Sequence, residues 1–205
     1  AGIGYVDKAG IATAYWPPGW PMALSVVFRA LGTSVTAVGL ANFAFAVLAG
    51  WLLLDIARRI AGSELAARAA FLLFAVYPNA IGYVPLALTE VFYTTLLLAI
   101  CWLLVVRPSS LRLAIAGLVL GLATLVKAQS VVIVPLILGI ELLRAPGLWR
   151  RIPATIVRGL VLATFAALVV APWTLRNYRE MQAFIPVSTN GGITLLTGNN
   201  DSASG

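Results

Sequence analysis

Four residues of this chain have side chains suited to phosphate or sugar chemistry, and each lies against a long apolar run: Glu90, Lys127, Gln129 and Arg176. Glu90 closes "LALTE" and opens an apolar stretch. It is either an acid kept for its charge or a first-turn residue favoured by a helix dipole. Lys127, in "KAQS", separates two apolar stretches. It either snorkels to headgroups or binds phosphate, helped by the amides of a helix starting near Gln129 and Ser130. Arg176 and Asn177 follow Trp173, as an interfacial anchor or as a second phosphate contact. Beyond them, "FIPVSTNGGITLLTGNN" (184–200) carries no charge and is rich in Gly, Asn and Thr. Ser188, Thr189, Asn190, Gly191, Gly198, Asn199 and Asn200 either form an ordinary solvated loop or line a pocket for a polyhydroxylated or phosphorylated ligand.

The elements that hold these residues follow from composition. Of 205 residues, 61% are hydrophobic and 10% charged, where a soluble domain carries about 25% charged residues. An integral membrane protein is expected. The net charge of +7 comes from positive residues that bracket apolar runs, a pattern that orients membrane proteins and speaks against nucleic-acid binding. There is no His, so imidazole bases and His-ligated metals are excluded, and no metal site is assigned. The single Cys101 lies in an apolar run and is expected to be a small buried hydrophobe.

The expected fold is all-α, a polytopic bundle of transmembrane helices with external loops and interfacial helices. Residues 1–33 form an external loop, with the "YWPPGWP" turn, and an interfacial helix over 22–32. Residues 34–173 supply about six membrane segments, at 34–60, 64–78, 91–106, 111–126, 131–143 and 159–173, with a loop at 79–90 and a basic loop at 144–158. Residues 174–205 form an external loop. On one side lie Arg58, Arg59, Arg68, Arg107, Arg112, Arg144, Arg150, Arg151 and Arg158, and on the other only Lys8, Arg29, Lys127, Arg176 and Arg179. The positive-inside rule therefore puts residues 1 and 205 both outside. Asp55 is expected to be solvated or paired. The sequence opens and closes as if cut from a longer polypeptide.

Five pieces in order, "GYVDKAGIATAYWPPGWP", "LALTE", "ATLVKAQSVVIVPL", "APWTLRNY" and "FIPVSTNGGITLLTGNN", resemble the polytopic glycosyltransferases of the C fold type. Within them the chain is most similar to the bacterial dolichyl-phosphate-mannose protein mannosyltransferase-like group. The similarity covers nearly the whole chain, which would then be part of one transmembrane glycosyltransferase domain. It implies a sugar donor on a polyprenyl phosphate at the outer leaflet of the bacterial inner membrane, and a lipid, glycan or protein acceptor. It also implies an inverting single displacement in which a loop acid serves as general base and cations stabilise the leaving phosphate. That family's acidic motif precedes the "PPGWP" stretch, so the general base is expected upstream of residue 1, with Asp7 a secondary loop acid. Carried over by position, Lys127, Gln129 and Arg176 would face the donor phosphate. Glu90, Asn177, Ser188–Gly191 and Gly198–Asn200 would line the cavity, with Tyr15 to Pro21 beneath it. No cofactor beyond the lipid-linked sugar is implied, and a divalent metal is left open. A transporter or flippase of lipid-linked saccharides is the alternative, and a purely structural subunit a third.

Overall fold

The structure, a computed structural model, describes residues 5–105, 109–143 and 148–199. Among these residues every regular element is a helix, apart from one antiparallel bridge between Val6 and Ala12. Helix α1 spans Gly19–Leu31, α2 Val35–Ala61, α3 Glu64–Val76, α4 Pro78–Gly82, α5 Glu90–Val105 and α6 Ser110–Val126. A 3₁₀ turn, Ala128–Val132, leads into α7, Ile133–Leu143; α8 is Leu148–Met181 and α9 is Gly191–Gly198. Two helices are long and apolar enough to cross a membrane, α2 and the Ile152–Met181 part of α8. The segments Gly19–Leu31, Glu90–Val105, Ser110–Val126 and Ala128–Ile140 are shorter apolar helices.

Local sequence explains the helix starts. Ser34, Ser63 and Ser109 each accept the N–H three residues on, from Ala37, Ala66 and Arg112 at 3.1, 3.3 and 3.2 Å. Each thereby satisfies a donor that has no partner inside the helix. Helix α2 stops at Gly62, whose φ of 61° is left-handed and whose N–H returns to Arg58 O at 3.1 Å.

Helices α2 and α5 run in the same direction. Thr95 donates to Phe45 O at 3.0 Å, and further along both helices the Trp102 indole donates to Asp55 at 2.7 Å. Helices α6 and α8 are also parallel and approach to backbone contact. An added Cβ on Gly117 would lie 2.9 Å from Leu162 O, and one on Gly121 2.6 Å from Ala166 O. Trp20, Phe92, Leu96, Ile100, Leu120, Ala123 and Val126 form a buried cluster that joins α1, α5 and α6. At the far end of the bundle Asp55 accepts from Arg59 at 2.7 Å, and Glu64 accepts from Arg58 and Arg68 at 2.7 and 3.0 Å. Asp55 is thus paired, as expected.

Several boundaries differ from the sequence reading. Helix α8 runs through most of what reads as a basic loop and on through "RNYRE", 34 residues in all. Its prolines, Pro153 and Pro172, lie inside the helix instead of ending it, as apolar surroundings allow. Helix α1 starts at Gly19, inside the proline-rich turn, and a short helix, α4, occupies part of the expected 79–90 loop. The 191–198 stretch is helical, and its three glycines are not among the residues with positive φ. Thr194 and Thr197 donate back to Asn190 O and Ile193 O, at 3.0 and 2.7 Å, so the helix absorbs their hydroxyls. Cys101 is exposed on the bundle's surface, not buried.

Candidate functional site

Glu90 is the first residue of α5, and Lys127 is the first residue after α6. The Lys127 N–H closes α6 on Ala123 O at 2.8 Å, while its backbone turns out of the helix, with φ −141° and ψ 110°. Its ammonium lies 3.2 Å from Glu90 Oε1 and 5.1 Å from the centroid of the Tyr93 ring. Thr89 Oγ1 donates to the other oxygen, Glu90 Oε2, at 3.3 Å. The two charged side chains are 29% and 35% exposed, so the pair is partly sheltered but reachable.

The pair borders a cavity of ≈ 350 Å³ whose other polar lining is Tyr77, Asn79, Tyr83, Tyr93 and Thr94, over an apolar floor that includes Ala46, Ala49 and Phe74. Tyr93 and Thr94 follow Glu90 by three and four residues, which puts them on the same helix face. Asn79 donates to Tyr77 Oη at 3.2 Å. Ser130 is fully buried, 3.0 Å from Tyr93 Oη and 2.7 Å from Lys127 O, so its hydroxyl links the Tyr93 ring to the Lys127 backbone. A concave, mostly apolar pocket with a few convergent polar groups is the usual form of a ligand site.

The loop before Glu90 is fastened from behind. Asn42 of α2, with no exposed surface, donates through Nδ2 to Val84 O at 3.1 Å and Leu86 O at 2.8 Å. Its Oδ1 is the one buried side-chain polar atom without a partner among the described residues. The Trp20 indole donates to Ala87 O at 3.0 Å.

The other expected site residues fall elsewhere. Arg176 donates to Tyr5 O at 2.6 Å, Thr13 O at 2.8 Å and Asn177 Oδ1 at 3.1 Å, and stacks 5.0 Å from the Trp173 ring centroid. Asn177 is fully buried and donates to Ile185 O at 2.9 Å. The Trp173 indole donates to Val187 O at 2.7 Å, and Thr189 N–H donates to Ala14 O at 2.9 Å. The end of α8 therefore clamps the 5–16 segment and the 184–190 segment together. Burial in this clamp raises the pKa of the Tyr5 phenol, with the Arg176 charge opposing. Replacing Arg176 by Gln is expected to speed amide exchange in residues 5–16 and 184–190 by about tenfold or more, the scale of one charge-assisted hydrogen bond. Exchange in α5 and α6 stays unchanged. Hydrogen–deuterium exchange mass spectrometry reads both.

Gln129 is exposed and is not among the residues lining the Glu90–Lys127 cavity. Ser188 donates to Asn190 Oδ1 at 2.9 Å and lines a separate apolar groove of ≈ 810 Å³ between α6, α7 and α8. Gly191, Gly198 and Asn199 are exposed on or just after α9, away from either lining. Asn200 lies outside the described residues. Of the described members of the expected set, then, the structure brings Glu90 and Lys127 together, and none of the others lines their cavity. Tyr77, Asn79, Tyr83, Tyr93 and Asn42 were not expected at the site, and Ser130 was expected there only for the helix amides near it. The clustering of tyrosines on either side of "PNAIG" was the available signal.

The described helices, two of them long and apolar enough to cross a membrane, thus bring a charged pair to the rim of a mostly apolar cavity. The family model of the dolichyl-phosphate-mannose-protein mannosyltransferases matches residues 16–175, and the chain belongs to that family. No curated protein and no solved structure matches it. The family is one of glycosyltransferases of the mannosyltransferase type.

Proposed function

We propose that the chain transfers a sugar from a polyprenyl-phosphate donor to a hydroxyl or amine acceptor at the outer face of the membrane, inverting the anomeric centre. The observation that carries this reading is the Glu90–Lys127 pair beside a tyrosine-lined cavity, 3.2 Å apart, in a chain of this family. An ammonium has three donors, and Glu90 occupies one. The others are free for an oxygen of the donor phosphate. Transfer forms a bond from the acceptor atom to the sugar's C1 and breaks the bond from C1 to the phosphate oxygen. The polyprenyl phosphate leaves with the electron pair, its growing charge stabilised by Lys127. The acceptor's proton passes to a carboxylate acting as general base. Asp7 is poorly placed for that role, because its Oδ1 accepts from Ala9 N and Ile11 N at 2.8 and 2.9 Å and closes its own turn. Glu90 is read as the residue that holds Lys127. The faces and phenols of Tyr77 and Tyr83 suit a sugar ring and its hydroxyls.

In this reading the bundle is polytopic and crosses the bacterial inner membrane about six times. Large apolar side chains such as Phe43, Leu72, Leu73 and Leu168 face outward, which suits lipid. The end carrying Arg58, Arg59 and Arg68 is cytoplasmic by the positive-inside rule, and the cavity is then periplasmic.

The test is turnover of a panel of radiolabelled polyprenyl-phosphate sugars by the full chain in lipid nanodiscs. Transfer or slow hydrolysis of one donor sustains the reading. The break between α6 and α7 beside Lys127 also suits a lipid-linked saccharide flippase. Movement of the donor between leaflets with its phosphate bond intact would select that alternative. Replacing Glu90 by Gln is expected to lower kcat/KM by about tenfold, the worth of a hydrogen bond to a charged group. Wild-type kinetics for this variant would count against the site.

A further inference from the structure

We propose that Gly19 and Trp20 are positioning residues that set the separation of Glu90 and Lys127. The catalytic significance of that separation rests on the glycosyl-transfer reading; the geometry does not.

The two charged residues come from chain positions 37 apart. Glu90 starts one helix and Lys127 follows the end of another. The start of α1 touches the backbone beside both. On the Lys127 side, Gly19 packs directly on the last turn of α6. A Cβ added at Gly19 would lie 2.7 Å from Leu125 C, from Val126 N and from Val126 Cγ2. Real Cβ atoms do not approach that closely, so any side chain at position 19 pushes the Leu125–Val126 peptide, and Lys127 with it.

On the Glu90 side, Trp20 is 6% exposed and its indole N–H donates to Ala87 O at 3.0 Å, three residues before Glu90. Its ring packs on Phe92, centroids 5.6 Å apart, two residues after Glu90. Phe92 in turn packs on Phe45 of α2 at 4.8 Å. Asn42 of α2 holds the carbonyls of Val84 and Leu86, so Trp20 supplies the last tie before Thr89 and Glu90. Two adjacent residues on one rigid first turn therefore back both halves of the pair. The glycine fixes where α6 ends, and the tryptophan fixes where α5 begins. A group held this way keeps its geometry when a ligand competes for one of the charges, which is what preorganisation requires.

The experiment is zero-length cross-linking of the full chain in lipid nanodiscs with a water-soluble carbodiimide. The reagent activates a carboxylate, and an amine already in contact displaces the urea to give an amide. The Glu90–Lys127 linkage is quantified by peptide mass spectrometry in wild type, Trp20→Phe and Gly19→Ala. Thermal midpoint and gel-filtration profile establish that each variant is folded. Trp20→Phe keeps a ring against Phe92 and removes the N–H together with part of the buried indole's bulk, so β-(3-benzothienyl)alanine at position 20, which removes the N–H with the shape retained, is measured beside it. Should Trp20→Phe fail to fold, that analogue alone carries the comparison.

The expected result is a drop in cross-link yield of about fivefold or more in a folded variant, with KM for the donor raised by about tenfold. In a Lys127→Met background, Trp20→Phe adds no further rise in KM. Unchanged cross-link yield in folded Trp20 and Gly19 variants would overturn the proposal, as would equal KM effects with and without Lys127. A changed yield in a protein that turns over no sugar donor leaves the positioning role standing and removes the glycosyl-transfer reading instead.

Discussion

Replacing Lys127 by Met is expected to lower kcat/KM for the sugar donor by about 10²–10³-fold, the scale of losing one preorganised charge at a developing anion. Lys127 is the only cation lining the Glu90 cavity among the described residues. Methionine keeps the length of the stem and its contact with Tyr93, so the change removes charge more than packing. Glu90 loses its partner but stays about a third exposed, and water can solvate it. The fold should therefore persist, with a loss of stability within about 1 kcal/mol. Donor turnover and thermal unfolding, measured on the same preparation, separate the two effects. Turnover near the wild-type rate would remove Lys127 from the phosphate and the cavity from the mechanism.

Replacing Gly121 by Leu is expected to cost about 3 kcal/mol or more, or to prevent folding, the scale of severe overpacking. An added Cβ there lies 2.6 Å from Ala166 O and 2.7 Å from Val169 Cβ. Gly117, one turn earlier, has Phe165 Cβ at 2.7 Å. Two glycines four apart let the backbones of α6 and α8 touch, and small residues at this spacing are how helices associate where lipid offers no hydrophobic drive. The control is Gly139→Leu in α7, where nothing lies within 4 Å of the added Cβ. Its effect on the thermal midpoint should be small. Equal effects at both positions would mean that the glycine contact does not hold α6 to α8.

The sequence made α2, α3 and α6 legible, because apolar length and a serine cap coincide or nearly so at their starts, and α5 legible by its apolar length behind Glu90. It revealed only the 159–173 middle of α8 and not its extent, because the prolines and the arginines at either end look like punctuation. A proline breaks a helix chiefly when the freed carbonyl has no other satisfaction and the surroundings are water. Glu90 and Lys127 stood out singly as charges beside apolar runs. Their contact did not, because it spans 37 residues and depends on how α5 and α6 pack. Arg176 stood out as a cation, but its partners are the carbonyls of Tyr5 and Thr13. Backbone acceptors leave no trace in residue identity. At "KAQS" the 3₁₀ turn decides the outcome: Ser130 is buried against Tyr93, while Gln129 points outward. The four-residue spacing of Gly117 and Gly121 was in plain view and was the one strong signal of α6–α8 packing.

Helix α8 has a further consequence through its length and its hold on α6. Its 34 residues make a rod of about 50 Å, against a hydrocarbon layer of about 30 Å. Its continuously apolar part, residues 159–173, is no longer than that layer, so the excess length lies in its polar ends, which carry Arg158 on one side and Arg176 and Arg179 on the other. Helix α6 is half as long and is fastened to this rod at the two glycines, so it cannot adjust its depth independently. Lys127, at the tip of α6, is therefore tied to α8, and any shift of α8 along its own axis would carry the Lys127 ammonium with it.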